Sequence, residues 1–242
     1  MPSRPVLVTG CARSGTGYTA ALLSRLGLPC GHERLFEPAA LRPFDPARPD
    51  AAPPWPARVA AESSWLAAPF VAGLPEGTLV VHQVRHPLAV LRSNLRIGFF
   101  SRPSAYLEFA SAHLPGLDQG AEIERAALYW IGWNTLIERA SSLPNLRYLR
   151  LRLEDLDERV LRELAAAAGL GVAASEVRAA LSQVPRDANT RGRRSGDGQV
   201  RLEDLLPGPL GEALQTAARR YGYADISVPL PRGRLPESLS LF

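Results

Sequence analysis

The chain contains no lysine; arginine fills all 28 Lys/Arg positions. Any task a lysine ammonium usually performs, in catalysis or in phosphate binding, must fall to arginine or histidine. Cysteine occurs only at positions 11 and 30, too few for a disulfide framework or a cysteine-built zinc site. No apolar run approaches the roughly 18 residues that a membrane-crossing helix needs. The opening Met-Pro-Ser-Arg-Pro-Val-Leu-Val leads straight into a strand-like run, so no signal peptide is expected and the cytoplasm is the expected compartment. No basic stripe with interleaved aromatics is present, so nucleic acid is not an expected partner. The modest net charge of +4 suits a small anionic ligand instead. Abundant Ala, Pro and Gly, with arginine in place of lysine, suggest a GC-rich bacterial genome. At 242 residues the chain is read as one domain, 1–242.

What is present is concentrated in residues 5–27. Val6, Leu7 and Val8 form a short apolar run of the kind buried on both faces of a parallel sheet. A turn from Gly10 to Gly17 follows, and then Tyr18, Ala21, Leu22, Leu23 and Leu26 recur at helical spacing up to Gly27. Strand, glycine turn and helix together make a phosphate cradle, because backbone N–H groups at a helix start point at a bound anion. Gly10 and Gly15 keep the spacing of the ATP-binding pattern G-x-x-x-x-G-K-[ST], but Thr16 stands where its lysine belongs. The cation is displaced into the loop, at Arg13, ahead of Ser14, Gly15, Thr16 and Gly17.

A second strand is expected at Leu28–His32, with Glu33 at or just past its carboxyl end, the edge where α/β sheets bind ligands. A carboxylate there is placed to take a proton from a hydroxyl, with His32 as a second candidate base. An ion pair with Arg34 or Arg13 is the structural alternative for Glu33. Thr78–Val84 reads as a buried strand ending in Arg85-His86-Pro87, and Pro87 suits the first turn of a helix. Ser93 falls about two turns into that helix. An arginine fork with a serine hydroxyl is a chemically sensible clamp for a phosphate.

These stretches resemble the sulfotransferases that use 3′-phosphoadenosine 5′-phosphosulfate. Arg13 to Gly17 looks like their 5′-phosphosulfate loop, and Arg85 with Ser93 looks like their 3′-phosphate motif. Cys30-Gly31-His32-Glu33 is similar to the Cys-Gly-Glu-Glu segment of tyrosylprotein sulfotransferases, whose second Glu is the base. The resemblance implies a three-layer α/β, P-loop-like fold with a central parallel sheet. It also implies sulfonate transfer to a hydroxyl-bearing acceptor, a small molecule or carbohydrate, without a metal. Tyr18 would stack on the adenine or pack in the core. A late Arg–Gly loop that closes over the cofactor is matched loosely by Arg191, Arg193 and Arg194. The tyrosylprotein enzymes carry an Asn-x-Lys-Asp-Pro motif where this chain has Glu62-Ser63-Ser64-Trp65. Arg13 or His82 would then supply the missing positive charge. A P-loop small-molecule kinase is the alternative, disfavoured by the absent lysine. A non-catalytic nucleotide-binding protein is a third reading.

The remaining segments predict a Pro-rich loop over 37–58 and irregular structure over 97–119, whose Phe99, Phe100, Tyr106 and Phe109 could line an acceptor pocket. They also predict a helix over 122–142 with an aromatic stripe and a strand over 145–152. A helix capped by Asp155, further helices over 157–168 and 175–181, and a mobile cationic loop over 185–200 follow. A last helix over 210–221 leads into an extended tail over 228–242.

Overall fold

The computed structural model describes residues 4–37, 54–185, 198–200, 206, 208–224, 226 and 228–230. Five strands form one all-parallel sheet: β1 (Val6–Thr9), β2 (Cys30–His32), β3 (Ala61–Ser63), β4 (Leu79–Val84) and β5 (Arg147–Arg152). Their spatial order is β2-β3-β1-β4-β5. The two strands after β1 lie to one side of it and the next two lie to the other. The reversal therefore falls at β1, whose carboxyl end carries the glycine turn, the position where open α/β sheets bind ligands. Register brings the strand ends level: Val8 and His32 both pair with Ser63, and Thr9 pairs with His82.

Strand alternation divides the core in two. Val6, Val8, Leu79 and Val81 face a layer that includes α1 (Thr16–Arg25), α5 (Glu158–Ala167) and α6 (Ala174–Gln183). Leu7, Val80 and Val84 face the opposite layer, with α2 (Pro87–Arg96), α3 (Ala105–His113), α4 (Glu122–Glu138) and α7 (Pro209–Arg220). This is the three-layer α/β architecture with a central parallel sheet that the sequence implies. The aromatic stripe of α4 is core: Tyr129, Trp130 and Trp133 are fully buried. Among the described residues no helix is long and apolar enough to cross a membrane.

Three local expectations change. Residues 97–119 are not wholly irregular, because Ser104 caps α3 by accepting the N–H of Leu107 at 3.2 Å. Asp155 is not a helix cap; it pairs with Arg152 at 2.6 Å, and Asp157 caps α5 through the N–H of Val160 at 2.8 Å. Gly198–Val200 and Val228–Leu230 pair as antiparallel strands β6 and β7, at the end of the expected cationic loop and the start of the expected tail. Residues 186–197 of that loop, residues 231–242 of the tail and residues 38–53 of the Pro-rich loop lie outside the described residues.

Candidate functional site

The turn after β1 is held from several sides by the rest of the chain. Ala12 N–H donates to the Tyr129 hydroxyl at 2.9 Å. Arg85 Nη1 donates to the Arg13 carbonyl at 2.8 Å, and Gln83 Nε2 donates to the Ser14 carbonyl at 2.7 Å. Gln83 is itself held by the Thr19 hydroxyl, 2.5 Å from its Oε1. Ser63 Oγ closes the far side on the Thr16 carbonyl at 3.0 Å. With its carbonyls turned outward onto these donors, the turn has little freedom left to rearrange.

The backbone inside the turn is open to an anion. Gly15, at φ +87°, leads into α1, and no side chain caps that helix. Its first amides therefore lack the acceptor that a Ser or Asp cap would supply. Ser14 Oγ is buried, 1 % exposed, with no hydrogen-bond partner among the described residues. Gly10 is required sterically, since a Cβ there would strike the Gln83 carbonyl and Ser14 Oγ.

Arg13, Arg85 and Ser93 come together. Arg13 Nε donates to Ser93 Oγ at 2.9 Å, while Arg85 holds the Arg13 carbonyl. The side chain of Arg13 thus lies toward the α2 serine, so the loop cation and the Arg85–Ser93 pair form one half-buried cluster. Arg191 and Arg194 lie outside the described residues.

Glu33 follows β2 directly, and its N–H donates to the Ser63 carbonyl at 2.9 Å. Among the described residues its carboxylate has no ion-pair partner, neither Arg34 nor Arg13. Burial, above all, pushes the pKa of the Tyr129 hydroxyl, which holds Ala12, well up. Arg13 and Glu33 are the non-glycine residues with positive φ among those described, at +72° and +53°. Such backbone costs an L-residue about 1–2 kcal/mol and concentrates at working sites.

His32 is exposed, with Nδ1 3.1 Å from the Ser63 carbonyl. Because a carbonyl only accepts, Nδ1 carries the proton and Nε2 is left on the other side. That atom lies 2.9 Å from where a Cβ on Gly17 would stand, so the ring occupies the space the glycine leaves beside the start of α1.

Two other candidate residues are buried. His82 is fully buried, and burial pushes its pKa down to about 4. Its Nε2 is 2.9 Å from Asn134 Oδ1 and its Nδ1 is 2.7 Å from the Tyr148 hydroxyl, contacts a neutral ring satisfies. It therefore supplies no positive charge near pH 7. Tyr18 is only 9 % exposed and belongs to the core cluster on the α1 side of the sheet, and its hydroxyl has no hydrogen-bond partner among the described residues.

Sequence reading missed Gln83, Ser63 and Glu62 as parts of the site. Glu62 is a buried carboxylate in β3, 1 % exposed, whose Oε1 accepts the N–H groups of Arg34 at 2.7 Å and Leu35 at 3.1 Å. A charged residue inside a short strand otherwise made of small residues is the signal that could have found it. Among the described residues no three His, Cys, Asp or Glu side chains gather as a metal site. No protein-family model matches the chain, and no curated protein matches it.

Proposed function

We propose that the protein transfers a sulfonate group from 3′-phosphoadenosine 5′-phosphosulfate to a hydroxyl of a small-molecule or carbohydrate acceptor. The observation that carries this reading is the convergence of Arg13, Arg85 and Ser93 at the mouth of an uncapped, glycine-framed helix start, with Glu33 following β2 at the same edge of the sheet. A nucleotide with phosphate at both its 3′ and 5′ positions needs two anion sites a few ångströms apart, and this cluster supplies donors for both.

The amides at the start of α1, Ser14 Oγ and Arg13 would receive the 5′-phosphosulfate, and Arg85 with Ser93 the 3′-phosphate. In the transfer the sulfur–oxygen bond to the 5′-phosphate breaks and a sulfur–oxygen bond to the acceptor forms. The acceptor's proton passes to the Glu33 carboxylate, and the products are a sulfate ester and 3′-phosphoadenosine 5′-phosphate. The charge growing on the leaving phosphate falls to Arg13 and the amides, donors already fixed in place. With no lysine in the chain and His82 neutral, Arg13 takes the electrostatic task, and His32 Nε2 stands beside Gly17 at the helix start.

Calorimetric titration with 3′-phosphoadenosine 5′-phosphate tests the reading, with ATP plus magnesium as comparator. The wild type should prefer the 3′-phosphorylated nucleotide. Arg85→Ala should weaken it by about ten- to a hundredfold, the roughly 1.5–3 kcal/mol of a hydrogen bond to a charged group. Preference for magnesium ATP would put the kinase reading first, and binding without turnover on any acceptor would favour a non-catalytic role.

A further inference from the structure

Glu62 sits where a carboxylate is least expected. It is in the middle of β3, 1 % exposed. Buried carboxylates persist only where they find strong partners. Those of Glu62 are not the guanidinium of a neighbour but two consecutive backbone amides, Arg34 and Leu35, both on Oε1. Its other oxygen fills the space beside Gly31, where a Cβ would collide with it. The two amides belong to the residues that immediately follow Glu33.

Glu33 is in the left-handed region at φ +53°, a conformation an L-residue does not adopt without outside restraint. The restraints are visible on both sides of it. Before the turn, the N–H of Glu33 is fixed on the Ser63 carbonyl. After the turn, the chain is fixed on Glu62. Hydrogen bonds from amides to an ionised carboxylate are about twice as strong as neutral ones. Burial, the largest influence, leaves the Glu62 pKa above its ordinary value, while the two amides, His32 and Arg34 draw it back down.

We infer that Glu62 is a positioning residue for the proposed base: by accepting the amides of Arg34 and Leu35 it holds Glu33 in its left-handed turn at the carboxyl end of β2. The inference rests on the reading of Glu33 as the base, but the conformational part can be tested without an acceptor. The full chain is prepared as wild type, Glu62→Ala and Glu62→Gln. Three quantities are measured by NMR and calorimetry: amide hydrogen exchange at Arg34 and Leu35, the three-bond HN–Hα coupling of Glu33, and affinity for 3′-phosphoadenosine 5′-phosphate.

In Glu62→Ala, exchange at both amides should accelerate more than tenfold and the Glu33 coupling should leave its wild-type value. Nucleotide affinity should stay within about twofold, since the cradle is held by other residues. Glu62→Gln, whose amide oxygen still accepts, should restore much of the exchange protection and the coupling. Unchanged exchange and coupling in Glu62→Ala would overturn the inference. So would a fall in nucleotide affinity as large as the loss of order at Glu33, because Glu62 would then be supporting the whole fold. If the alanine variant does not fold, Glu62→Asp, one methylene short of the two amides, is read in its place. A wild type that binds no nucleotide would instead remove the base reading, while exchange and coupling still decide what Glu62 does to the turn.

Discussion

Glu33 carries two demands that pull against each other. Its left-handed backbone favours glycine, while the proposed chemistry needs a carboxylate. Glu33→Gly should therefore raise stability by up to about 1 kcal/mol, the strain relieved less the extra freedom glycine gives the unfolded chain. Glu33→Gln keeps the strain and removes the base. Urea unfolding and turnover on the same variants separate the two effects: both should lose sulfonate transfer, and only the glycine variant should gain stability. A glycine variant no more stable than Glu33→Gln would mean that the turn is not strained. The identity and place of Glu33 were legible in the sequence because a carboxylate follows an expected strand end. Its φ was not, because that depends on Glu62 and Ser63, about thirty residues away and on another strand.

Among the elements, the glycine turn was the most legible and its supports the least. Strand, turn and helix are neighbours in sequence, so local pattern exposes them. The groups that fix the turn arrive from β4, the residue after it and α4: Gln83 and Arg85 donate to its carbonyls and Tyr129 accepts its Ala12 N–H, and only the sheet order brings them there. Arg85 announced itself as a charged residue ending an apolar strand, whereas Gln83 read as one more strand residue. The Asp155 expectation failed for a related reason: Arg152, at the end of β5, competes for its carboxylate and leaves the cap to Asp157. Gly10→Ala tests the turn as a unit. A Cβ there meets the backbone of β4, which cannot move aside without breaking the sheet, so the variant should lose about 1–3 kcal/mol. It should also lose nucleotide binding, measured by calorimetry, even where it remains folded at 10 °C. Retained affinity in a folded Gly10→Ala would mean that the turn has more play than its packing allows.

At the level of the whole molecule, the buried His82 sets an acid limit on stability. Folding lowers its pKa from an ordinary 6.5 to about 4, and desolvation is the main cause. Between those values the unfolded chain binds a proton that the folded chain refuses, so stability is full above pH 6.5 and falls as pH drops toward 4. The loss should reach roughly 3 kcal/mol at pH 4. Urea midpoints from pH 7 to 4 should show this slope, and His82→Gln should reduce it; an equal slope in the variant would assign the acid sensitivity to other groups. The contacts around the cradle also imply an order of events during synthesis. Ala12 is made 117 residues before Tyr129, and Arg13 is made 72 residues before Arg85. At about 5–20 residues per second, the turn waits on the order of ten seconds for its last support. A ribosome-bound chain that stops short of α4 should consequently carry the glycine turn without the grip on which the proposed nucleotide site depends, and nucleotide affinity in such nascent chains would report when the third layer has docked.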